Sequence, residues 1–263
     1  NPESQSKKAE LAFYPERCIG CGNCVNACPN GCHVLSQNRH QLCRSNCETC
    51  GFCTRHCSSE ALALIGRPVT VDEVINYVLE DSPFYNVSGG GMTISGGEPM
   101  FQPEFTLELL KGAKGCNIHT CMETCGFCEP EHLIRAVPYT DLFLFDLKAT
   151  PDVHQRLTGA PLGPILDSLL ALDQAGGRIV LRCPLIPGVN MNESHIKNIA
   201  QTAGALKNII EINLERYHPI GISKCQAIGR KPEYTETKMV GTEEAGSFMK
   251  VLNSMTEVPV TVV

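Results

Sequence analysis

The sequence predicts an α/β protein in which a parallel sheet forms an open barrel and a small cysteine-rich unit is inserted ahead of it. Three observations support this prediction. Strand and helix signals alternate from Pro68 onward, ten of the sixteen cysteines fall between residues 18 and 57, and chemically reactive side chains follow one predicted strand after another. Alternating strands and helices pair in parallel through right-handed crossovers.

Composition restricts the class of protein. With 263 residues, 43% hydrophobic and 19% charged, the chain is globular. A formal charge of −6 without basic clusters argues against binding to nucleic acid or anionic membranes. No apolar run approaches the roughly 18 residues of a membrane span, and no signal segment opens the chain. Sixteen cysteines, of which ten fall between residues 18 and 57 at metal-ligand spacings, then favour a reduced, cytoplasmic metal-binding protein over a disulfide protein.

We predict three segments: residues 1–16, a cysteine-dense domain at 17–66, and an α/β unit at 67–263. Thr70 and Glu73 form a capping box in front of a helix whose apolar residues share one face. Further helices are predicted at 103–110, 131–137, 165–174, 193–206 and 242–254. Strands are predicted at 92–95, 118–123, 142–148, 179–183 and 209–217.

Reactive residues stand at the carboxyl ends of five predicted strands. They are Ser95 to Glu98, Glu123 and Thr124, Asp146 and Lys148, Arg182, and Tyr217 and His218. Period-two alternation places Asp146 and Lys148 on one face, opposite Phe145 and Leu147. Polar surface loops explain any single strand end. Five in succession favour a barrel, in which functional groups converge at one rim.

The cysteines form two quartets of identical spacing, Cys18-x2-Cys21-x2-Cys24-x3-Cys28 and Cys47-x2-Cys50-x2-Cys53-x3-Cys57. Three thiolates two residues apart wrap one [4Fe–4S] cluster, and the fourth cysteine of each run reaches the other cluster. We therefore assign Cys18, Cys21, Cys24 and Cys57 to one cluster, and Cys47, Cys50, Cys53 and Cys28 to the other. Tetrahedral zinc, the alternative, has no use for the third regularly spaced cysteine.

Two cysteines of this block, Cys32 and Cys43, are left over. We interpret them as small buried residues, with spare cluster ligands as the alternative. The block resembles a bacterial two-cluster ferredoxin, although Ser58 follows Cys57 where proline follows Cys28. That resemblance indicates an electron conduit.

A glycine-rich segment, Gly89-Gly-Gly-Met-Thr-Ile-Ser-Gly-Gly-Glu-Pro99, follows the cysteine block. Alone it is a weak motif, but together with Asp146-Leu147-Lys148, the segment from Arg182 to Gly188, and Tyr217-His218 it indicates one protein family. Over essentially all its length the chain resembles the activating enzymes of glycyl radical enzymes. These are the radical S-adenosylmethionine (SAM) relatives of pyruvate formate-lyase activating enzyme.

The resemblance implies a partial α/β barrel of the radical SAM type that holds SAM against a third [4Fe–4S] cluster. One electron cleaves SAM to methionine and a 5′-deoxyadenosyl radical, which takes a hydrogen atom from a glycine of the partner enzyme. The cofactor carries this chemistry, so we assign no catalytic side chain. The implied partners are a glycyl radical enzyme and a flavodoxin or ferredoxin-type donor, with electrons relayed by the cysteine block.

The same resemblance implies which residues bind the cofactor. The methionyl amino group would meet Gly96 and Gly97, with Glu98 nearby. The remaining residues implied to line the SAM site are Asn1, Asp146, Leu147, Lys148 and His218. A monovalent cation beside the SAM carboxylate would lie at Glu123 and Thr124, with Asp146. Arg182 is a further candidate, although a structural role suits it as well.

The SAM cluster of this family is held by C-x3-C-x2-C on a loop ahead of the ferredoxin-like block. Since residue 1 is Asn and that loop is missing, we expect a truncation just before Asn1 and an inactive chain as given. Cys121, Cys125 and Cys128 have the same spacing. Because Cys121 falls within a strand and follows Gly96, we interpret them as buried residues rather than cluster ligands, and Cys116, Cys183 and Cys225 likewise as structural.

Two rival functions remain at this point. A pure electron-transfer protein would use the barrel as a docking scaffold, and its clusters would be reduced without SAM binding. A SAM-binding partner without radical chemistry would bind SAM and never cleave it.

Overall fold

The computed structural model describes residues 2–4, 6, 8–37, 39–232 and 234–263. The chain divides into two compact units. The cysteine unit comprises Asn1–Pro68 and Pro219–Thr235, and the sheet unit comprises Val69–His218 and Glu236–Val263. The division differs from the predicted one, in which everything after residue 66 belonged to the barrel.

The late segment belongs to the cysteine unit because it shares a small core and several polar contacts with that unit. Ala12 packs with Ala227 and Ile228. Arg44 donates to the carbonyl oxygens of Leu11 and Ala227, the latter at 2.7 Å. Sequence periodicity does not reveal such contacts, since Ala227 lies about two hundred positions from Ala12 and Arg44.

Short elements build the cysteine unit. In chain order they are β1 (Glu10–Phe13), α1 (Asn23–Ala27), β2 (His33–Ser36), β3 (Arg39–Leu42), α2 (Phe52–Arg55) and β4 (Leu62–Ile65). Strands β1 and β4 pair antiparallel, as do β2 and β3. The two cysteine runs repeat one local geometry, because Gly22 and Gly51 precede α1 and α2 with φ of 75° and 74°. A left-handed turn directly after Cys21 and Cys50 favours glycine.

The remaining elements belong to the sheet unit, apart from α10, which belongs to the cysteine unit. They are α3 (Val71–Glu80), α4 (Ser82–Ser88), β5 (Gly91–Ile94), α5 (Pro103–Gly115), β6 (His119–Thr124), α6 (Pro130–Ala136), β7 (Leu142–Asp146), α7 (Pro151–Thr158), α8 (Gly163–Gln174), β8 (Ile179–Leu185), α9 (Glu193–Gly204), β9 (Ile209–Arg216), α10 (Ile220–Ala227), α11 (Thr242–Asn253) and β10 (Val260–Val262). Single turns of 3-10 helix lie at Pro2–Ser4, Pro15–Arg17, Pro99–Phe101 and Val137–Tyr139.

Across the described residues of the sheet unit, six strands pair in parallel in the order β10-β9-β8-β7-β6-β5. The strands follow chain order across the sheet, so successive crossovers step in one direction. This is the order of an open barrel and not of a doubly wound sheet, whose order reverses at a switch point. The predicted barrel is confirmed, and the inner face of the strands is left to line the site.

The face of β7 that packs against the helices forms the core. Phe143, Phe145 and Leu147 are fully buried, together with Leu181 and Ile212 of the neighbouring strands. The predicted alternation along β7 is therefore confirmed.

The predicted capping box of α3 is also confirmed. Thr70 Oγ1 accepts from the Glu73 backbone N–H at 3.2 Å, and the Thr70 N–H donates to Glu73 at 2.8 Å.

Helix α5 continues to Gly115, past the predicted end at residue 110. Gly112 is part of the reason for the wrong boundary, because glycine in a sequence indicates a stop. A Cβ at Gly112 would lie 3.0 Å from Ile75 Cγ1, so the missing side chain lets α3 approach α5 closely. No helix within the described residues is long and apolar enough to cross a membrane.

Candidate functional site

The carboxyl ends of β5 to β9 meet at one edge of the sheet unit, as parallel pairing requires. The loops that leave this rim carry the residues predicted to bind the cofactor. Gly96 and Gly97 follow β5 and are exposed. Gly96 has φ of +125°, and a Cβ built on it would meet no atom within 4 Å. Main-chain atoms of this loop are therefore accessible to a ligand.

Glu98 ties that glycine loop to the end of β6. Its carboxylate accepts hydrogen bonds from Thr124 Oγ1 at 2.7 Å, from the Cys125 N–H at 2.8 Å and from the Met100 N–H at 3.0 Å. Thr124 in turn accepts from the Gly126 N–H at 2.9 Å. With three donors from the chain on one carboxylate, Glu98 and Thr124 act first as positioning residues for the rim.

Arg182 joins three strands through ion pairs. Its Nη1 lies 2.5 Å from Oε1 of Glu123 on β6, while Nε and Nη2 contact the carboxylate of Glu215 on β9. Burial lowers the pKa of Arg182, but the Glu215 and Glu123 carboxylates outweigh it and raise the pKa above the usual value. Glu123 also accepts from Ser95 Oγ at 3.0 Å, which brings β5 into the same network.

Glu215 is a site residue that sequence reasoning missed. A signal was present, because Glu211, Asn213 and Glu215 alternate along a predicted strand and so share one face. The structure places all three on the same side as Arg182. Asn213 donates to Glu211 at 2.9 Å, and Thr261 Oγ1 of β10 donates to the same carboxylate oxygen at 2.6 Å.

Asp146 and Lys148 form the centre of the rim, with Lys148 Nζ 3.1 Å from Asp146 Oδ2. Burial raises the pKa of Asp146, and the charges of Lys148 and Arg182 offset part of that rise. For Lys148, burial lowers the pKa, but the charge and hydrogen bond of Asp146 together with the charges of Cys125 and Glu98 outweigh burial and raise the pKa. Oδ1 of Asp146 is buried without a hydrogen-bond partner among the described residues. A buried carboxylate oxygen of this kind needs a cation or a donor from a ligand.

Leu147 lies between these two residues with its side chain fully buried. Because that side chain is buried, only the main chain of Leu147 can line a ligand site. The Leu147 N–H already donates to the Arg182 carbonyl at 2.8 Å. Asn190, which sequence reasoning also missed, supports this segment from behind. It is 1% exposed, donates to the carbonyls of Lys148 and Pro184 at 2.7 Å each, and accepts from the Ile186 N–H.

The charges at the rim are unequal, since four carboxylates face two cations. The carboxylates are those of Glu98, Glu123, Asp146 and Glu215, and the cations are Arg182 and Lys148. An acidic excess suits a ligand with positive charge, such as the sulfonium and ammonium groups of SAM. His218 follows the end of β9 by two residues and is exposed, while Asn1 lies outside the described residues.

The structure sorts the eight predicted cluster cysteines into two cavities. The first cavity is lined by Cys18, Cys21, Cys24 and Cys57. The second cavity is lined by Cys28, Cys47, Cys50 and Cys53. The last cysteine of each run thus crosses to the other site, in the grouping predicted from spacing.

Thiolates are costly in both cavities without a positive partner. Burial and then the charges of Cys18, Cys21 and Cys57 raise the pKa of Cys24, despite an opposing backbone hydrogen bond. Burial and the thiolates of the second cavity raise the pKa of Cys53 to about 11. An iron–sulfur cluster supplies the positive charge that such a set of thiolates requires, so the residues fit this group.

The two leftover cysteines differ from one another. Cys32 is buried, as predicted, and borders the second cavity. Burial and the neighbouring Cys28 sulfur raise its pKa to about 12. Cys43 is exposed, so its predicted burial is wrong. It lies just past the end of β3, with its sulfur 3.2 Å from Ser45 Oγ, and is not covered by the small core of this unit.

Cys121, Cys125 and Cys128, which share the spacing of the SAM-cluster motif, lie in surroundings typical of buried thiols. Cys121 is buried in β6 beside Thr93 and Glu123, whereas Cys125 and Cys128 lie near Glu98. Burial, followed by the Glu98 charge, raises the pKa of Cys125 to about 11 and that of Cys128 to about 12.

The other three cysteines of the chain vary in exposure. Cys183 is buried, Cys225 is half-buried and Cys116 is exposed.

Comparison with known proteins is consistent with this geometry. Residues 39–202 match the family model of the radical SAM superfamily, and residues 11–32 match a 4Fe-4S binding domain. The chain is 38% identical to the benzylsuccinate synthase activating enzyme of Thauera aromatica over 243 residues, which cover 89% of this chain and 73% of the relative. It is also 38% identical to the isethionate sulfite-lyase activating enzyme of Nitratidesulfovibrio vulgaris, with 91% and 80% covered.

A solved structure is similar in fold. The crystal structure of a domain of pyruvate-formate lyase-activating enzyme from Bacteroides vulgatus superposes with a TM-score of 0.55 at 27% identity, and covers 66% of this chain and 99% of that one. The family model spans more than half of the chain, and the relatives are matched over most of their length. The chain therefore belongs to the radical SAM superfamily and, within it, to the activating enzymes of glycyl radical enzymes.

Proposed function

We propose that the protein reductively cleaves SAM and generates a glycyl radical on a partner enzyme. One observation carries this proposal. An acidic rim with exposed glycine main chain and an unpartnered buried oxygen of Asp146 is combined, in one chain, with two cavities that each gather four cysteines. The rim has the functional groups to bind a cationic cofactor, and the cavities have the ligands to deliver electrons.

The rim residues bind and orient the cofactor. The main chain at Gly96 and Gly97 would accept hydrogen bonds from the ammonium group of the methionyl moiety, and Glu98 would hold the loop in place. Lys148 would pair with the carboxylate of the methionyl moiety. Asp146 Oδ1 would accept a hydrogen bond from the ligand or bind a monovalent cation, with Glu123 and Thr124 close by. Leu147 would contribute main chain only, and Arg182 would keep Glu123 and Glu215 in place.

Two [4Fe–4S] clusters would be held by the first and second cavities. When bound, clusters and SAM together supply one-electron transfer and organic radical chemistry. We propose a third cluster at the SAM site of the intact parent protein and a flavodoxin or ferredoxin-type electron donor. We also propose a reducing, cytoplasmic compartment, because cysteines at cluster spacings are kept available for iron where disulfides do not form. His218 and Asn1 remain proposed cofactor contacts.

The first test measures cofactor binding to the anaerobically reconstituted chain. We expect about eight iron atoms per chain for two cubanes. Asp146→Asn should weaken SAM binding by about tenfold or more in equilibrium dialysis, because a hydrogen bond to a charged group is lost. Asp167→Asn, an exposed carboxylate on the outer helix α8, is the matched control and should leave binding unchanged.

The second test measures the reaction. The chain and the full open reading frame that contains it are each reduced with SAM, with and without a glycyl radical enzyme from the same genome. We expect 5′-deoxyadenosine and a glycyl radical EPR signal from the full reading frame. Iron and SAM binding without either product would favour a SAM-binding partner, and iron without SAM binding an electron-transfer protein. Release from the 263-residue chain would assign a cluster to Cys121, Cys125 and Cys128.

A further inference from the structure

Two histidines link the two cysteine cavities. His33 opens β2 and His40 lies in β3, where it pairs with Leu35, so both imidazoles project from the same face of the hairpin. Nδ1 of His33 lies 2.9 Å from Nε2 of His40. The rings stack with their centroids 5.1 Å apart. One N–H···N hydrogen bond therefore joins the two side chains.

Each histidine of this pair lines a different cavity. His40 lines the first cavity, as does Phe13, whose ring meets the imidazole edge-on with a centroid distance of 4.4 Å. His33 lines the second cavity and is 3% exposed. One ring nitrogen of each histidine and the sulfur of Cys24 all lie within 4.8 Å of one another. The pair is thus a hydrogen-bonded connection from one proposed cluster to the other.

The proton count of the pair leaves one donor unused. Two neutral imidazoles carry two N–H groups, of which one joins the rings. Nε2 of His33 and Nδ1 of His40 are both buried, and neither has a hydrogen-bond partner among the described residues. Both unpartnered nitrogens are buried, and a neutral ring is less costly than a charged one in such surroundings. A buried N–H without a partner is costly, and the sulfur of an anionic cluster is an acceptor within each cavity.

We propose that the His33–His40 pair donates its spare N–H to whichever of the two clusters carries the added electron, and so couples the reduction of one cluster to that of the other. The inference rests on the proposed function, because it requires clusters at both cysteine sites. When the spare N–H is on His40, the donor lies at the first cavity. When it is on His33, the donor lies at the second cavity.

Protons and electrons balance in this exchange. As the spare N–H changes from His40 to His33, Nδ1 of His40 releases one proton to water, and the proton between the rings passes from Nδ1 of His33 to Nε2 of His40. Nε2 of His33 then takes one proton from water. The pair holds two N–H groups before and after. The electron comes from an external one-electron reductant, which is dithionite in the test.

The test compares His33→Phe and His40→Phe with the unaltered chain by EPR-monitored redox titration of the two clusters. His40→Phe should lower the equilibrium constant for reduction of the first cluster about tenfold, which equals 59 mV for one electron, and spare the second cluster. His33→Phe should give the reverse. His56→Phe is the matched control, because His56 also lines the first cavity but is exposed and outside the pair.

A second measurement needs no variant. Electron–nuclear double resonance of the reduced, unaltered chain in H2O and D2O should reveal an exchangeable proton coupled to the reduced cluster. Absence of that coupling, or unchanged potentials in both variants with iron retained, would overturn the proposal and leave the proposed function standing. If the unaltered chain shows no signal from either cubane, both this proposal and the proposed function are overturned. Binding of zinc by Cys24 and the two histidines in place of iron would likewise overturn both.

Discussion

Replacing Gly126 with alanine tests how the end of β6 is built. Gly126 has φ of +69°, a conformation that costs a residue with a side chain about 1–2 kcal/mol. A Cβ there would lie 2.2 Å from Cζ and 2.6 Å from Cε2 of Phe145. Phe145 is fully buried, so its ring cannot move aside without disturbing the core. Overpacking of this kind costs about 1–3 kcal/mol more.

Gly159→Ala is the matched control for this substitution. Gly159 has φ of +76°, but a Cβ there would meet nothing within 4 Å. Both glycines belong to the sheet unit, so both variants report on the same unfolding transition. We expect the control to lose about 1–2 kcal/mol from backbone strain alone. Gly126→Ala should lose about 1–3 kcal/mol beyond that, because the steric overlap is added.

The assay is anaerobic chemical denaturation followed by circular dichroism at 222 nm, with SAM binding measured in parallel. Since the Gly126 N–H donates to Thr124 and Thr124 donates to Glu98, the clash should also loosen the rim and weaken SAM binding in this variant only. Equal loss of unfolding free energy in the two variants, to within about 0.5 kcal/mol, would refute the steric argument.

Two further predictions concern residues outside the rim itself. His195 is fully buried in α9, and burial lowers its pKa from 6.5 to about 4. Its folded-state pKa is below the unfolded value, so stability is retained above pH 6.5 and falls by up to about 3 kcal/mol as the pH drops toward 4. His195→Leu should flatten that pH dependence of the unfolding free energy, and an unchanged slope would contradict the assignment. Asn190→Ala should cost about 1–3 kcal/mol and weaken SAM binding, because it leaves buried carbonyls unpaired. Asn192→Ala removes only the N-cap of α9 and should cost about 1 kcal/mol without affecting SAM binding.

Local patterns in the sequence were sufficient wherever neighbours along the chain decide the outcome. Thr70 and Glu73 cap α3 as predicted, because a capping box needs only four consecutive residues. Alternation predicted that Phe145 and Leu147 would be buried opposite Asp146 and Lys148. Residues whose partners lie far along the chain were missed or misread. The carboxylate of Glu98, for example, accepts from Thr124 and Cys125, twenty-six and twenty-seven positions away, and no local pattern indicates these partners.

Strand alternation, helix periodicity and cysteine spacing are short-range properties of a polypeptide, so they were enough to predict the class of fold and the grouping of cysteines at each cavity. The family was predicted from the resemblance that the quoted motifs carry together. The folded structure was needed to show that Arg182 is held between Glu123 and Glu215, that residues 219–235 belong to the cysteine unit, and that His33 and His40 join the two cavities. These contacts depend on which strand lies beside which and in what register. Hydrogen bonds between strands set that register, and no short segment of the sequence contains both partners.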